Sequence, residues 1–394
     1  MSVLPYGRHQ IGEDDIEAVV EVLRSGALTA GPKAAEFEKA FAAKIGAKEA
    51  VVCSNGTTAL HLAVMAAELG PNDKAIVPTV TFLSTANAVR MTGANVVFAD
   101  VHPDTGLLTE ETLLEAYKTA GGPVKAVLPV HLNGQCAEMP LIAKVAADNN
   151  SVIITDCCHA LGAEYANSGR PGDGRYENLA CFSLHPVKSI AMGEGGMVTT
   201  NDSAAAARMR LLRSHDMKRD PAEWVERDIS FDEQAEPNPW AYEMHELAYN
   251  YRAPDILCAL GLSQLKRLDG FVSRRREIAA LYDDALASAG NILRPIPRTP
   301  TAESAWHLYP VLIDFKACGK ERSVVMKELM EKGVGTQVHY IPVSSQPYYR
   351  KRYGRQEFPG ANSYFERVLS LPIFPAMSDR DVLDVVSALK ATLG

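Results

Sequence analysis

No stretch of the 394 residues is long and apolar enough to cross a bilayer. The first residues, Met1-Ser-Val-Leu-Pro-Tyr6, carry neither the charged nor the apolar region of a secretory signal. Together these absences set the expectation of a cytoplasmic protein. Excess positive charge is also missing: 40 Lys and Arg stand against 48 Asp and Glu, a net −8, which argues against nucleic acid as the main partner. Cysteine is sparse. The seven residues are odd in number and scattered, which points to a reducing compartment rather than a disulfide framework. Cys157-Cys158-His159 lacks the spacer that zinc ligands need, and no second pair exists, so no metal is expected. There is no internal repeat and no low-complexity tract. What remains is ordinary for a globular chain, 47% hydrophobic and 22% charged, and long enough for two domains of unequal size. The basic run Arg274-Arg-Arg276 reads as the solvated face of a helix.

From about residue 50 to residue 200, short apolar runs alternate with helical patterns. The runs are Ala50–Cys53, Lys74–Val77, Asn95–Ala99, Val124–Val130, Ser151–Thr155, Ala180–Ser183 and Met197–Thr200. Continuous apolar runs bounded by turns suit strands buried on both faces. Helical stretches lie between them at Thr58–Leu69, Ser84–Met91 and Leu141–Asn149. The alternation predicts an α/β domain with a mostly parallel sheet, whose ligands sit at the carboxyl ends of the strands. Arg213–Glu246 breaks the rhythm with prolines, charges, Trp224 and Trp240, and reads as a long irregular loop. A helical pattern resumes at Pro254 and runs to about Ala287. A smaller α/β unit then follows, with strands near Trp306–Asp314 and Thr336–Val338 and helices near Ser323–Lys332 and Asp379–Leu393.

The polar residues at the ends of these runs suggest a site. Lys188 lies between two apolar strands, where an unpaired ammonium is costly to desolvate. A lysine there is either a snorkelling side chain or an amine kept for Schiff-base chemistry with an aldehyde. Ser54-Asn-Gly-Thr-Thr58 joins a strand to a helix and reads as an N-cap or as a phosphate cradle. Asp156 ends Val152-Ile-Ile-Thr155, as a turn residue or as the anion that keeps a pyridinium nitrogen protonated. Phe82, after the second strand, is a core residue or a flat face for a cofactor ring. His159 lies three residues beyond Asp156, and Ser183 five before Lys188.

In order, these features resemble the DegT-type nucleotide-sugar aminotransferases of pyridoxal-phosphate fold type I. The resemblance rests on Ser54-Asn-Gly-Thr-Thr58, Asp156-x-x-His-Ala-x-Gly162 and Phe182-Ser-x-His-Pro-x-Lys188. It extends through Leu4–Arg8, Leu28–Pro32, His245–Arg252 and Ala259–Leu265 to nearly the whole chain. Phe182–Lys188, His307-Leu-Tyr-Pro310 and Gly335–Tyr340 bring it closest to the transaminases of the pseudaminic acid pathway, which make UDP-4-amino-4,6-dideoxy-N-acetyl-β-L-altrosamine.

The resemblance implies a large pyridoxal-phosphate-binding domain over residues 1–252, with a mostly parallel seven-stranded sheet, and a small α/β domain over residues 253–394. It implies that Lys188 carries the cofactor and moves the proton, and that Asp156 pairs with the ring nitrogen. Phe82 would stack on the ring and His159 would contact its phenolic oxygen. Gly56, Thr57, Thr58 and Ser183 would hold the phosphate. Asn250 would reach the phosphate of a neighbouring subunit, giving a homodimer with shared active sites. His185, His339 and Tyr340 would face a UDP-sugar, with an amino acid, glutamate, as nitrogen donor. The sequence departs from the family at Ala27, where relatives commonly have an aromatic, and in a longer 220–236 stretch. An enzyme for another sugar, such as GDP-4-keto-6-deoxymannose, and a non-catalytic sensor or scaffold are the alternatives.

Overall fold

The computed structural model describes residues 3–290 and 292–394. Seven strands form the main sheet: β1 (Glu49–Cys53), β2 (Lys74–Pro78), β3 (Asn95–Ala99), β4 (Ala126–Val127), β5 (Val152–Asp156), β6 (Leu179–Ser183) and β7 (Gly196–Thr200). Their spatial order is β1-β7-β6-β5-β4-β2-β3. β7 alone runs antiparallel, pairing with β1 on one side and β6 on the other. Each expected run of residues 50–200 therefore lies in this sheet. The run Val124–Val130 keeps only a two-residue strand, because Pro129 has no N–H to give the ladder. Pairing resumes beyond it through a bridge between Val130 and Asp156.

Both faces are covered, which is why the strands read as unbroken apolar runs. In β1, Val51 and Cys53 pack with helix α3 (Gly56–Ala66), while Ala50 and Val52 pack with Phe37 and Phe41 of helix α2 (Lys33–Ile45). Residues of helix Asp255–Leu265 join the second cluster, and that helix also packs on α1 (Glu13–Ser25). Fully buried Asp15 fastens this contact, accepting from Gln264 at 2.6 Å and pairing with Arg267 at 3.1 Å. Helix α4 (Leu83–Met91) follows β2 and carries the residues that back the site.

A second sheet pairs Leu293–Pro295, Tyr309–Ile313 and Val368–Leu371, all antiparallel, with Tyr309–Ile313 in the middle. It packs with helices Leu268–Leu286, Arg322–Glu331 and Asp379–Leu393 around its own core, which includes Tyr282, Leu329, Leu371 and Leu389. Thr336–Val338 is not a strand; Gln337 makes one isolated bridge to Ser370. The solvated-face reading of the arginine run is corrected at Arg275, which is buried at 1% exposure because its guanidinium binds main-chain carbonyls of the opposite segment.

Residues 213–246 are more ordered than an irregular loop. Met217–Lys218 pairs with Glu243–Met244, buried Asp216 accepts the N–H groups of His245 and Glu246, and Glu243 accepts those of Val225 and Glu226. None of the helices among the described residues is long and apolar enough to cross a membrane, and none of their His, Cys, Asp and Glu side chains form a group placed to hold a metal ion.

Candidate active site

The carboxyl ends of β2, β5 and β6, the start of α3 and the segment 337–341 enclose a cavity of about 640 Å³. A wider groove of about 1260 Å³, lined by Asp100, Glu110, Glu111 and Glu115, offers only carboxylates among its charged groups apart from Lys118. The smaller cavity holds the chemistry.

Lys188 lies on the connection 184–195, which folds back between the antiparallel partners β6 and β7; its N–H donates to the His185 carbonyl at 2.8 Å. Among the described residues its Nζ has one hydrogen-bonding neighbour, His307 Nε2 at 3.5 Å, and no carboxylate in ion-pair contact. Burial lowers its proton affinity, and the Cys158 and Asp156 side chains offset this only in part. The same burial pushes His159 and His307 well below the usual histidine range and His339 down to about 3, and any charge on Lys188 would lower all three further. All three imidazoles are therefore neutral at pH 7.

Asp156 sits at the last position of β5 and is 5% exposed. Thr85 Oγ1 donates to its Oδ2 at 2.7 Å and the Cys158 N–H to its Oδ1 at 3.0 Å. A carboxylate held by two donors has lone pairs left to accept from a third.

The turn from β1 into α3 is both a cap and a cradle. Asn55 Oδ1 accepts the Thr58 N–H at 2.9 Å, and Thr58 Oγ1 accepts the Asn55 N–H at 3.1 Å. This reciprocal capping box leaves the N–H groups of Gly56 and Thr57 for a ligand at the positive end of the helix. A Cβ on Gly56 would stand 2.8 Å from Ser183 Cβ and 3.3 Å from Cys158 Sγ. Only glycine leaves that space open.

Phe82 lines the same cavity and is 53% exposed, with Tyr340 5.8 Å away between ring centroids. The Asn133 N–H donates to His159 Nδ1 at 3.3 Å, which puts the imidazole proton on Nε2, 3.1 Å from the Tyr340 hydroxyl. Gly56, Thr57, Phe82, Asp156, His159, Ser183, His185, Lys188, His339 and Tyr340 all line the cavity. Thr58 does not, since its hydroxyl is taken up in the cap. Asn250 does not either: it is exposed and paired with Ser214.

Several lining or supporting residues were not singled out from sequence. Thr85 holds Asp156, and its signal was its place one helical turn after Phe82. Tyr6 and Gln337 lie in Leu4–Arg8 and Gly335–Tyr340, stretches that carry the resemblance without marking either residue, while Glu194 and Gln346 left no local signal.

An amine free of carboxylates, a fixed carboxylate and a glycine-walled anion cradle together fit an aromatic aldehyde that carries a phosphate. Comparison with known proteins agrees. The chain is 40% identical over 392 residues to the spore coat polysaccharide biosynthesis protein SpsC of Bacillus subtilis, covering 98% of this chain and 96% of that one. It superposes on Helicobacter pylori PseC, an aminotransferase involved in the biosynthesis of pseudoaminic acid, with TM-score 0.88 and 28% identity, over 100% of this chain and 99% of that one. The pyridoxal-phosphate form of the putative sugar aminotransferase Spr1654 of Streptococcus pneumoniae gives TM-score 0.86 and 27% identity, over 99% and 98%. Residues 9–390 match the DegT/DnrJ/EryC1/StrS aminotransferase family, and with that match the chain belongs to this family of pyridoxal-phosphate-dependent sugar aminotransferases.

Proposed function

We propose that the enzyme moves an amino group from glutamate to C4 of a UDP-4-keto-6-deoxy-N-acetylhexosamine, as in pseudaminic acid biosynthesis. The likeness to PseC supports the sugar, and the likeness to SpsC supports a product destined for a polysaccharide. The observation that carries the chemistry is the convergence of Lys188, Asp156 and the Gly56 cradle on one cavity.

Bound pyridoxal phosphate supplies an electron sink for the pair left when a C–H bond beside nitrogen breaks, and it stores the nitrogen between the two half-reactions. The chain's residues do the rest. Lys188 would anchor the cofactor and, once released, would take a proton at Nζ from the carbon on one side of the nitrogen and return it to the carbon on the other, a task suited to an amine whose proton affinity burial has lowered. Asp156 keeps the ring nitrogen protonated, steadied by Thr85 and the Cys158 N–H. The N–H groups of Gly56 and Thr57, with Ser183, bind the phosphate, and Thr58 keeps that turn in shape. Phe82 offers its exposed face to the ring. His159, neutral with its proton on Nε2, would turn that N–H from the Tyr340 hydroxyl to the phenolic oxygen once the cofactor is bound, while His185, His339 and Tyr340 face the sugar nucleotide.

The site is completed by a second copy of the chain. Asn250 lies outside its own cavity, and the arm leading to it exposes Ile229, Trp240 and Leu247 at 71–74%, side chains that a second copy would cover. Asn250 then serves the partner's phosphate. Mixing inactive Lys188→Ala and Asn250→Ala chains checks this: hybrids regain activity if sites are shared and stay inactive if each chain is self-sufficient. A panel of UDP- and GDP-linked 4-keto sugars, read by mass spectrometry of the amino sugar, tests the substrate; turnover of the GDP sugars alone would overturn it.

A further inference from the structure

We propose that His307 is a positioning residue that donates a hydrogen bond from Nε2–H to the Nζ of Lys188, holding that amine neutral with its lone pair ready for an aldehyde. The inference rests on Lys188 being the amine that carries the cofactor.

His307 is 4% exposed and stands 3.5 Å from Nζ through Nε2. Its other nitrogen, Nδ1, is buried with no partner among the described residues. A buried N–H without an acceptor is costlier than a buried lone pair without a donor, so the proton belongs on Nε2. Nε2–H can reach Nζ productively only if Nζ offers a lone pair, which an ammonium lacks.

The main chain around His307 is held from both sides. Arg275, buried and with no carboxylate in ion-pair contact among the described residues, donates through Nη1 to the carbonyls of Trp306, His307 and Ile373 at 3.1, 3.2 and 2.9 Å. Opposite, the Ala305 and Leu308 N–H groups donate to Gly134 and Asn133. Trp306, between them, is kept in the left-handed region at φ 49°, a conformation that persists only where its surroundings enforce it. The guanidinium charge also disfavours protonating His307. Among the described residues, Cys158 and Asp156 act on Lys188, and Lys188 in turn acts on His159 and His339.

In capture, the Nζ lone pair bonds to the aldehyde carbon, and both amine hydrogens leave with the aldehyde oxygen as water. The full chain stripped of cofactor is mixed with pyridoxal phosphate across a pH series, and the rate of growth of the visible band is followed. His307→Phe and His307→Asn should move the midpoint of that profile up by about one pH unit, a tenfold slower capture below the midpoint. His307→Gln, whose amide N–H reaches the place of Nε2, should restore most of it. If Phe does not fold, the contrast between Gln and Asn decides. Equal midpoints for the native chain, Gln and Asn would overturn the proposal. Lys188→Ala separates the two claims: a band that still forms on that variant sinks the role of Lys188 itself.

Discussion

Asp156→Asn isolates the charge at the ring nitrogen from everything else in the site. The carboxylate is 5% exposed and held by Thr85 Oγ1 at 2.7 Å and the Cys158 N–H at 3.0 Å. Asparagine can keep its Oδ1 on the Cys158 N–H and turn its Nδ2 toward Thr85. That hydroxyl then accepts, and redirects its own proton to Thr81 Oγ1 at 2.8 Å or the Phe82 carbonyl at 3.3 Å. No donor or acceptor is stranded, so the fold and cofactor capture should survive. What is lost is the anion opposite a buried pyridinium. Breaking such a pair costs about 3–5 kcal/mol, and at about 1.4 kcal/mol per decade that is roughly two to four orders of magnitude in rate. Stopped-flow absorbance of the half-reaction with glutamate gives the rate directly. A rate within tenfold of the native enzyme, with cofactor bound, would refute the reasoning.

Gly56→Ala should weaken cofactor binding by at least about tenfold, because the added methyl would meet Ser183 Cβ at 2.8 Å and fill the anion cradle; fluorescence titration of the stripped protein with pyridoxal phosphate measures it. Glu177 is buried, and burial followed by the neighbouring Asp173 charge pushes its carboxyl up from 4.5 to about 7. Because the folded state holds this proton more tightly than the unfolded chain, stability falls as pH rises from about 4.5 to about 7, by on the order of 3 kcal/mol, and is level above that. Urea midpoints of Glu177→Gln at about pH 5 and about pH 8 should lack that decline; a decline equal to the native one would assign it elsewhere.

Much of this site could be read along the chain because its parts end strands. Asp156, Ser183 and the 54–58 turn each follow an apolar run, and a parallel sheet brings such ends to one side. The direction of β7 could not be read, since a run buried on both faces looks the same whichever way it points. Residues that act through distant contacts were hidden too. Thr85 is 71 positions from Asp156, and His307 is 119 from Lys188. Arg275 sits in a basic run typical of a wet helix face, and only the carbonyls of Trp306, His307 and Ile373 explain its burial. Thr336–Val338 had a strand's look, but its neighbour Ser370 offers one bridge rather than a ladder.

The central claim is that Lys188 is the amine that carries the cofactor. Borohydride reduction of the holoenzyme, which makes that linkage permanent, followed by peptide mass mapping tests it most directly. One phosphopyridoxyl group per chain is expected, on the peptide containing Lys188. The same group on a different lysine, or no modified peptide from a chain that retains its visible band, would contradict it.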